Sequence, residues 1–429
     1  MKKIISSIAV FSLCLFTLTA CGGYKTKKIG SVPLDLAQQE IPEEQLMDVG
    51  IVTFTSEELD TEAAQEDGTN PEIRKAEQHY IPYHLKHTLQ HSSYWGTVRV
   101  LPEDDEGLDV TVKGEIVRSN GERLELKIEV IDASGKTWFR NQYMAKAENS
   151  SYVGNAAGEK DPFQSLYNAI ANDMAEVQQE LEQKDIDKVR AISQLKFAQE
   201  FVPEAFSGHL ENDDNSFSIN RMPADNDPLM DRVIRIRQRD YMFIDTLNEY
   251  YENFYNEMWA PYHSWRDANL QEQTALREVR RKAFVRRVGG AALVAIPIVF
   301  GGILGVPFVG AFMDPLVLTG GNMMDEGKQI SGDAQLHSVA IQELSDTFGS
   351  SMKPVIMEFH GKQYTLTGTA TEQYERWKDL MRRIYVAETT TQDISPVNET
   401  GQLIPGVDTV EESLPGSNEK DVLIQDVKQ

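Results

Sequence analysis

Four of the eight histidines fall between His79 and His91. His84, His87 and His91 stand at i, i+3 and i+7, so a helix would line them along one face. Neutral imidazoles in such a stripe are zinc ligands by type. Tyr80 and Ile73 share that face, and Ile81, Leu85 and Leu89 lie beside it. The same stripe therefore also reads as the flank of a packed helix. No HExxH pattern or downstream carboxylate pattern accompanies it. A second group, Asp213, Asp214, Asp225, Asp227 and Asp231, has the chemistry for Ca²⁺. It lacks EF-hand spacing, and Pro223 and Pro228 break it up, so it reads as a solvated loop. No G-x-S-x-G elbow, phosphate loop or dinucleotide fingerprint occurs. Gly321 to Lys328 ends in Gly-Lys at the wrong spacing and is followed by Gln329. The expectation is a protein that is not an enzyme and carries no cofactor, with zinc on the three histidines as the open alternative.

The chain has 429 residues, enough for two or three domains. Lys and Arg number 42 against 67 Asp and Glu, a formal net charge of −25. That argues against nucleic acid as a partner, because phosphate binding needs a positive surface. Apolar residues at 41% and charged residues at 25% describe a globular chain. Two cysteines exclude a disulfide framework, a cysteine-based zinc site and a cysteine-ligated iron–sulfur cluster.

Met1 to Ala20 reads as a signal peptide: Lys2 and Lys3 are followed by the apolar core Ile4 to Phe16. Leu18-Thr19-Ala20-Cys21 resembles the lipobox of bacterial lipoproteins. The resemblance implies cleavage after Ala20 and acylation of Cys21, the palmitate included. With Gly22 in place of the Asp that favours inner-membrane retention, it points to the periplasmic face of the outer membrane. Residues 21–46 carry Gly, Lys, Gln and Pro without sustained periodicity and read as a tether.

Val49 to Phe54 is a run of strand length, and Asn70-Pro71 is a helix start. That helix is expected to reach about His91, kinked or restarted at Pro82. Thr97 to Leu101 is β-branched, and Leu108 to Arg118 alternates. Ser119-Asn120-Gly121-Glu122 reads as a hairpin turn. Leu124 to Val130 alternates on the return strand, and Trp138 to Ala145 follows the turn at Asp132 to Lys136. Asp161-Pro162 opens a helix with the stripe Leu166, Ile170, Met174, Val177, Leu181. This order of strand, helix, four strands and helix over residues 47–183 resembles a domain of envelope lipoproteins. Its carriers include the curli-secretion lipoprotein, outer-membrane activators of penicillin-binding proteins, and the Tol-system propeller protein. The resemblance implies a periplasmic interaction domain.

Residues 184–288 read as helical, interrupted by the polar loop Gly208 to Pro228. Ile244, Leu247, Tyr251, Phe254 and Met258 form a 3-4-3-4 seam. The aromatics from Tyr241 to Trp265 read as a core stripe, with a sugar-stacking platform as the other reading. Residues 314–387 read as a unit of helix, hairpin and helix, with the hairpin turning at His360-Gly361-Lys362. The acidic tail 388–429 reads as disordered. The fold class is α+β.

Gly289–Met313 carries no charge and would span about 37 Å as one helix. Basic residues Arg277, Arg280, Arg281, Lys282, Arg286 and Arg287 precede it. Three readings compete. A transmembrane helix would place the basic flank outside, against the positive-inside rule, and Pro297, Pro307 and Gly301-Gly302 interrupt it. A transmembrane β-hairpin of Ala291 to Phe300 and Ile303 to Phe312 lacks polar alternation. The favoured reading is a Gly-packed helical hairpin that dips into a leaflet, packs against identical copies, or is buried.

The expected function is that of a lipid-anchored, non-enzymatic interaction, assembly or scaffolding factor of the envelope. Its expected partners are the membrane, other envelope proteins and further copies of itself. The alternatives are an oligomeric outer-membrane export-channel subunit and a zinc-dependent cell-wall enzyme.

Overall fold

The computed structural model of the protein describes residues 23–57, 69–105, 107–147, 149–152, 160–300, 337–349, 352–359, 362–390 and 407–410. The stretch read as a signal peptide, Cys21, residues 301–313, the His360-Gly361 turn and most of the acidic tail lie outside them.

Strands β1 (Lys25–Ile29), β2 (Val49–Val52), β3 (Thr55–Ser56), β4 (Val98–Leu101), β5 (Val110–Ser119), β6 (Arg123–Asp132) and β7 (Thr137–Lys146) build one sheet. Its order is β1-β7-β6-β5-β2-β4, with β3 paired to β5. Pairs β5–β6 and β6–β7 are antiparallel, and β1–β7, β2–β4, β2–β5 and β3–β5 are parallel. Helices α1 (Pro71–Ser92) and α2 (Gln164–Glu180) pack with it, so the expected order of strand, helix, four strands and helix stands in space.

Local rules explain these elements. Asn70 caps α1 by accepting from Glu72 N and Ile73 N. Pro82 sits inside α1 without interrupting it. Proline lacks the N–H that Gln78 O would accept, and Phe54 N donates to that carbonyl instead. In the turn after β5, Gly121 alone takes positive φ (74°), while Asn120 Oδ1 accepts from Glu122 N and Arg123 N. The alternation in β5 and β6 holds, with Val110, Val112, Ile116, Leu124, Leu126, Ile128 and Val130 buried.

The segment expected as a tether is instead part of the fold. β1 adds to the sheet edge in parallel with β7, and residues 32–37 run along α2 and α1. Val32 N donates to Ser165 Oγ, Asp35 N to Asn172 Oδ1, and Ala37 N to Ser92 O. Lys25-Thr26-Lys27-Lys28-Ile29 hides this role because an edge strand with exposed lysines carries no apolar alternation.

After α2 come α3 (Gln183–Phe201), the short α4 (Pro203–Phe206), the hairpin β8 (Leu210–Asp213) and β9 (Ser216–Ile219), and α5 (Pro228–Phe300). The loop expected at Gly208 to Pro228 thus contains a hairpin, whose Asn215 O lies over Gly135. α5 is a 73-residue helix packing on α1, α3 and β4. It includes Gly289–Phe300, so the first strand of the alternative β-hairpin is helix. The chain divides into two compact units, Met1–Gly349 and Ser350–Gln429. The helical region therefore belongs with the sheet rather than standing apart after residue 183, because α5 lies along the sheet edge and α1. A helix at 337–349, here α6, belongs to the first unit.

In the second unit β10 (Met352–Phe359) pairs antiparallel with β11 (Lys362–Gly368), and β11 with β12 (Val407–Val410). A strand therefore stands within the tail expected to be disordered. Helix α7 (Ala370–Thr390) buries Tyr374, Trp377, Leu380, Met381 and Ile384. Its start is a capping box: Glu372 N donates to Thr369 Oγ1 and Thr369 N to Glu372 Oε2.

Candidate functional site

The histidine helix meets α5 along one seam. From α5, Met230, Val233, Ile236, Phe243, Ile244, Leu247, Tyr251, Phe254, Tyr255, Met258, Tyr262, Trp265 and Leu270 are buried. The 3-4-3-4 seam and the core-stripe reading of the aromatics hold, because each turn of α5 returns an apolar residue to α1 and the sheet.

The seam also encloses charge. Asp161 precedes α2 and Arg266 projects from α5, and both side chains are 0% exposed. Arg266 Nη1 donates to Asp161 Oδ2 at 2.6 Å. The guanidinium lies over Tyr262, 3.8 Å from its ring centre. Asp161 Oδ1 accepts from Phe163 N at 2.8 Å. Burial pushes the Asp161 carboxyl up, but Arg266, His84 and His263 outweigh it and hold it at about 2. One turn back, Glu77 accepts from Ser119 Oγ and Tyr262 Oη at 2.5 Å each, and Arg74 pairs with it at 3.1 Å.

The three histidines singled out by spacing do not act as one set. His84 is buried, with Nδ1 at 2.8 Å from Tyr255 Oη and Nε2 at 2.9 Å from Gln164 Oε1. Burial lowers its pKa, partly opposed by Asp161. His87 packs edge-on to Tyr83 and Tyr255, and burial lowers it to about 4. His91 is exposed. His79 touches Tyr251, Phe254 and, from α6, Phe348, and burial takes it to about 4. Among the described residues, no group of three His, Cys, Asp or Glu is placed to hold a metal ion. The physical reason at His84 is that both ring nitrogens already have partners.

Two anchoring residues escaped the sequence reading. Asn248 Oδ1 accepts from Val100 N and Asn248 Nδ2 donates to Val100 O, both at 2.9 Å. One side-chain amide thus closes the β4 edge as a neighbouring strand would. Lys86, whose pKa burial lowers to about 8, also donates to Asn248. Arg266 carried a signal, since it interrupts the apolar register next to Tyr262 and Trp265. Asn248 carried one only as a polar residue beside Leu247.

Past Leu270 the character of α5 changes. Arg277 Nη1 pairs with Glu122 at 2.5 Å and Lys146 with the same carboxylate at 3.2 Å. Burial opposes ionisation of Glu122, yet these two cations keep its pKa below the usual range. A groove of about 580 Å³ lies there, lined by Glu122, Lys146, Leu270, Thr274 and Arg281. Arg281 and Lys282 are exposed, and the helix runs on to Phe300. Among the described residues no helix is long and apolar enough to cross a membrane.

No protein-family model matches the chain, and no curated protein matches it. Among solved structures, the chain is similar to a dodecamer of a PelC point variant from Paraburkholderia phytofirmans. The identity is 13% and the TM-score 0.16, over 35% of this chain and 95% of that chain.

Proposed function

We propose that the protein is a lipid-anchored envelope lipoprotein of the outer membrane, facing the periplasm and working as a non-enzymatic interaction and assembly factor. The observation that carries this reading is α5. Its first half is built into the α/β unit by an apolar seam and a buried ion pair. Its second half runs on past Leu270 through a basic stretch into the uncharged residues Gly289–Phe300. A helix with no task beyond the core would end where its buried face ends. Basic side chains next to an uncharged stretch are the composition of a contact with anionic headgroups, at about 1 kcal/mol per charge. The reading as a non-enzyme draws support from the seam, where both ring nitrogens of His84 and the Asp161 carboxylate are taken up by neighbouring side chains and backbone. The lipobox-like Leu18-Thr19-Ala20-Cys21 supplies the address.

The test uses the mature chain with Cys21→Ser, which removes the lipid. Binding to phosphatidylglycerol vesicles, lost when residues 289–313 are deleted, is the expected result. A soluble monomer that ignores vesicles and has the same mass with or without the deletion would overturn the reading of this segment.

A further inference from the structure

Tyr24, at the start of β1, and α5 leave the sheet at opposite ends of its strands, as the register shows. β1 runs parallel to β7, with Lys25 opposite Asn141 and Ile29 opposite Ala145. Tyr24 continues this register backwards. Lys127 Nζ lies 5.8 Å from its ring centre, and the charges of Glu129 and Arg140 act on its hydroxyl. Glu129 and Arg140 are themselves cross-strand partners. Traced towards the N-terminus, the chain therefore heads for the Asp132–Lys136 turn. Lys27 donates to Asp173 at 2.5 Å, and Asp173 also accepts from Asn141 and Tyr143, which pins β1 to α2. Cys21 lies three residues before Tyr24, a reach of at most about 10 Å.

α5 travels to the other end. Arg237 Nη2 donates to Gly107 O, just before β5. Asn248 binds Val100, which through Ile51 is level with Val112 of β5. Tyr262 reaches Ser119, and Asn269 Nδ2 donates to Asn120 O at the β5–β6 turn. From Arg237 to Asn248 the helix rises about 16 Å, and Gly107 to Val112 covers about 16 Å of extended chain. From Asn248 to Tyr262 it rises about 21 Å, against about 23 Å from Val112 to Ser119. Equal advances mean that α5 lies along β5 and leaves the sheet at the Asn120–Gly121 end. From Asn269 to Phe300 it continues for about 45 Å. Laterally, α5 starts over β4 and has crossed to the β5–β6 turn where it leaves. β1 lies two to three strand spacings from that turn, about 12 Å, so the separation of the two ends is mainly along the strands.

We propose that the protein bridges two lipid surfaces: acyl chains on Cys21 hold one membrane, and the stretch Arg277–Phe300 of α5 docks on a second, anionic one. This inference rests on the reading in the preceding section. About 60 Å of protein along the strand direction separates the two contacts. The occupant is an anionic phospholipid surface because Arg277 is paired with Glu122, and the further cations Arg280, Arg281, Lys282, Arg286 and Arg287 have only Glu278 as an acid in that stretch. The uncharged residues that follow then meet hydrocarbon.

The full acylated chain is reconstituted in neutral phosphatidylcholine vesicles and mixed with fluorescent vesicles containing phosphatidylglycerol. Capture of the second vesicles by the first, read by co-flotation, is the expected result. Arg281→Glu with Lys282→Glu should lower capture at least about tenfold. Val294→Asp with Ile298→Asp should abolish it. Arg281 and Lys282 are exposed, so circular dichroism and the melting temperature of that pair should stay at wild-type values, and both measurements accompany the aspartate pair. Vesicle binding by the Cys21→Ser chain without capture by the acylated chain would overturn the bridge and leave the membrane contact intact. A defined oligomer that the aspartate pair dissolves, with no capture, would assign the end of α5 to self-association and also overturn it. Absence of binding in both formats would remove the underlying reading as well.

Discussion

Replacing Asp161 by Asn should loosen α5 from the α/β unit. Arg266 has one hydrogen bond to an anion, its Nη1 to Asp161 Oδ2, and its Nε and Nη2 are buried without partners. The asparagine would keep an oxygen for Phe163 N but leave a guanidinium that is 0% exposed without its counter-charge. Breaking a buried pair in this way costs about 3–5 kcal/mol. At about 2–4 °C per kcal/mol, the melting temperature should fall by about 10 °C. Arg266→Met alone should cost a similar amount, with the Asp161 pKa rising because burial then loses its largest opponent. The double variant Asp161→Asn with Arg266→Met carries no charge there and should lie within about 1–2 kcal/mol of wild type. Urea unfolding monitored by tryptophan fluorescence measures all three, since Trp259 and Trp265 lie on α5. The pH profile gives an independent check. The Asp161 pKa is depressed in the fold from 3.8 to about 2. Its contribution of about 2 kcal/mol is therefore present above pH 3.8 and is lost as pH falls towards 2. If Asp161→Asn costs less than about 1 kcal/mol, the pair is solvated and α5 is not seated as described.

Three further outcomes follow from the same seam. His79 falls from 6.5 to about 4 through burial, so the unfolded chain takes up the proton first as pH drops. Stability is full above pH 6.5 and should decline by about 3 kcal/mol as pH falls to 4, and His79→Phe should flatten that decline in unfolding titrations. Asn248→Leu leaves both polar groups of Val100 and the Lys86 ammonium without their partner, at a cost of about 2–4 kcal/mol. Amide hydrogen exchange at Val100 should accelerate, and unchanged exchange would count against the edge-closing role. Gly121→Ala places a methyl 2.3 Å from Arg266 O at a φ of 74°. It should destabilise by more than the roughly 1 kcal/mol of a plain αL substitution, because α5 must shift as well. A loss confined to about 1 kcal/mol would mean that α5 does not pass over this turn.

Much of the unit Met1–Gly349 was legible because its signals are local. Asn70-Pro71 announces a cap, period-two alternation marks β5 and β6, and period 3.6 marks the buried face of α5. The same locality misled in part at Pro82, where α1 does not restart and a distant N–H, that of Phe54, takes the freed carbonyl. It misled again at Lys25–Ile29, whose strand character comes from β7 and α2 rather than from its own residues. For the histidines, spacing placed His84 and His87 on one helix. It could not say that Tyr255 and Gln164 would occupy both nitrogens of His84, since those partners lie 171 and 80 residues away.

Composition, the lipobox-like Cys21 and the basic-then-uncharged order after Leu270 are properties of the chain read in one dimension. They determine the charge and carry the expectation of a lipid-anchored address. Tertiary structure decided which buried charges face each other and which edge of the sheet is closed. It also decided at which end of the sheet β1 begins and at which end α5 leaves. The physical reason is that pairing register and helix docking are relations between residues far apart in sequence. Only packing sets them, because a one-residue slip in β1 or a quarter-turn of α5 would leave the local pattern unchanged and bury different side chains.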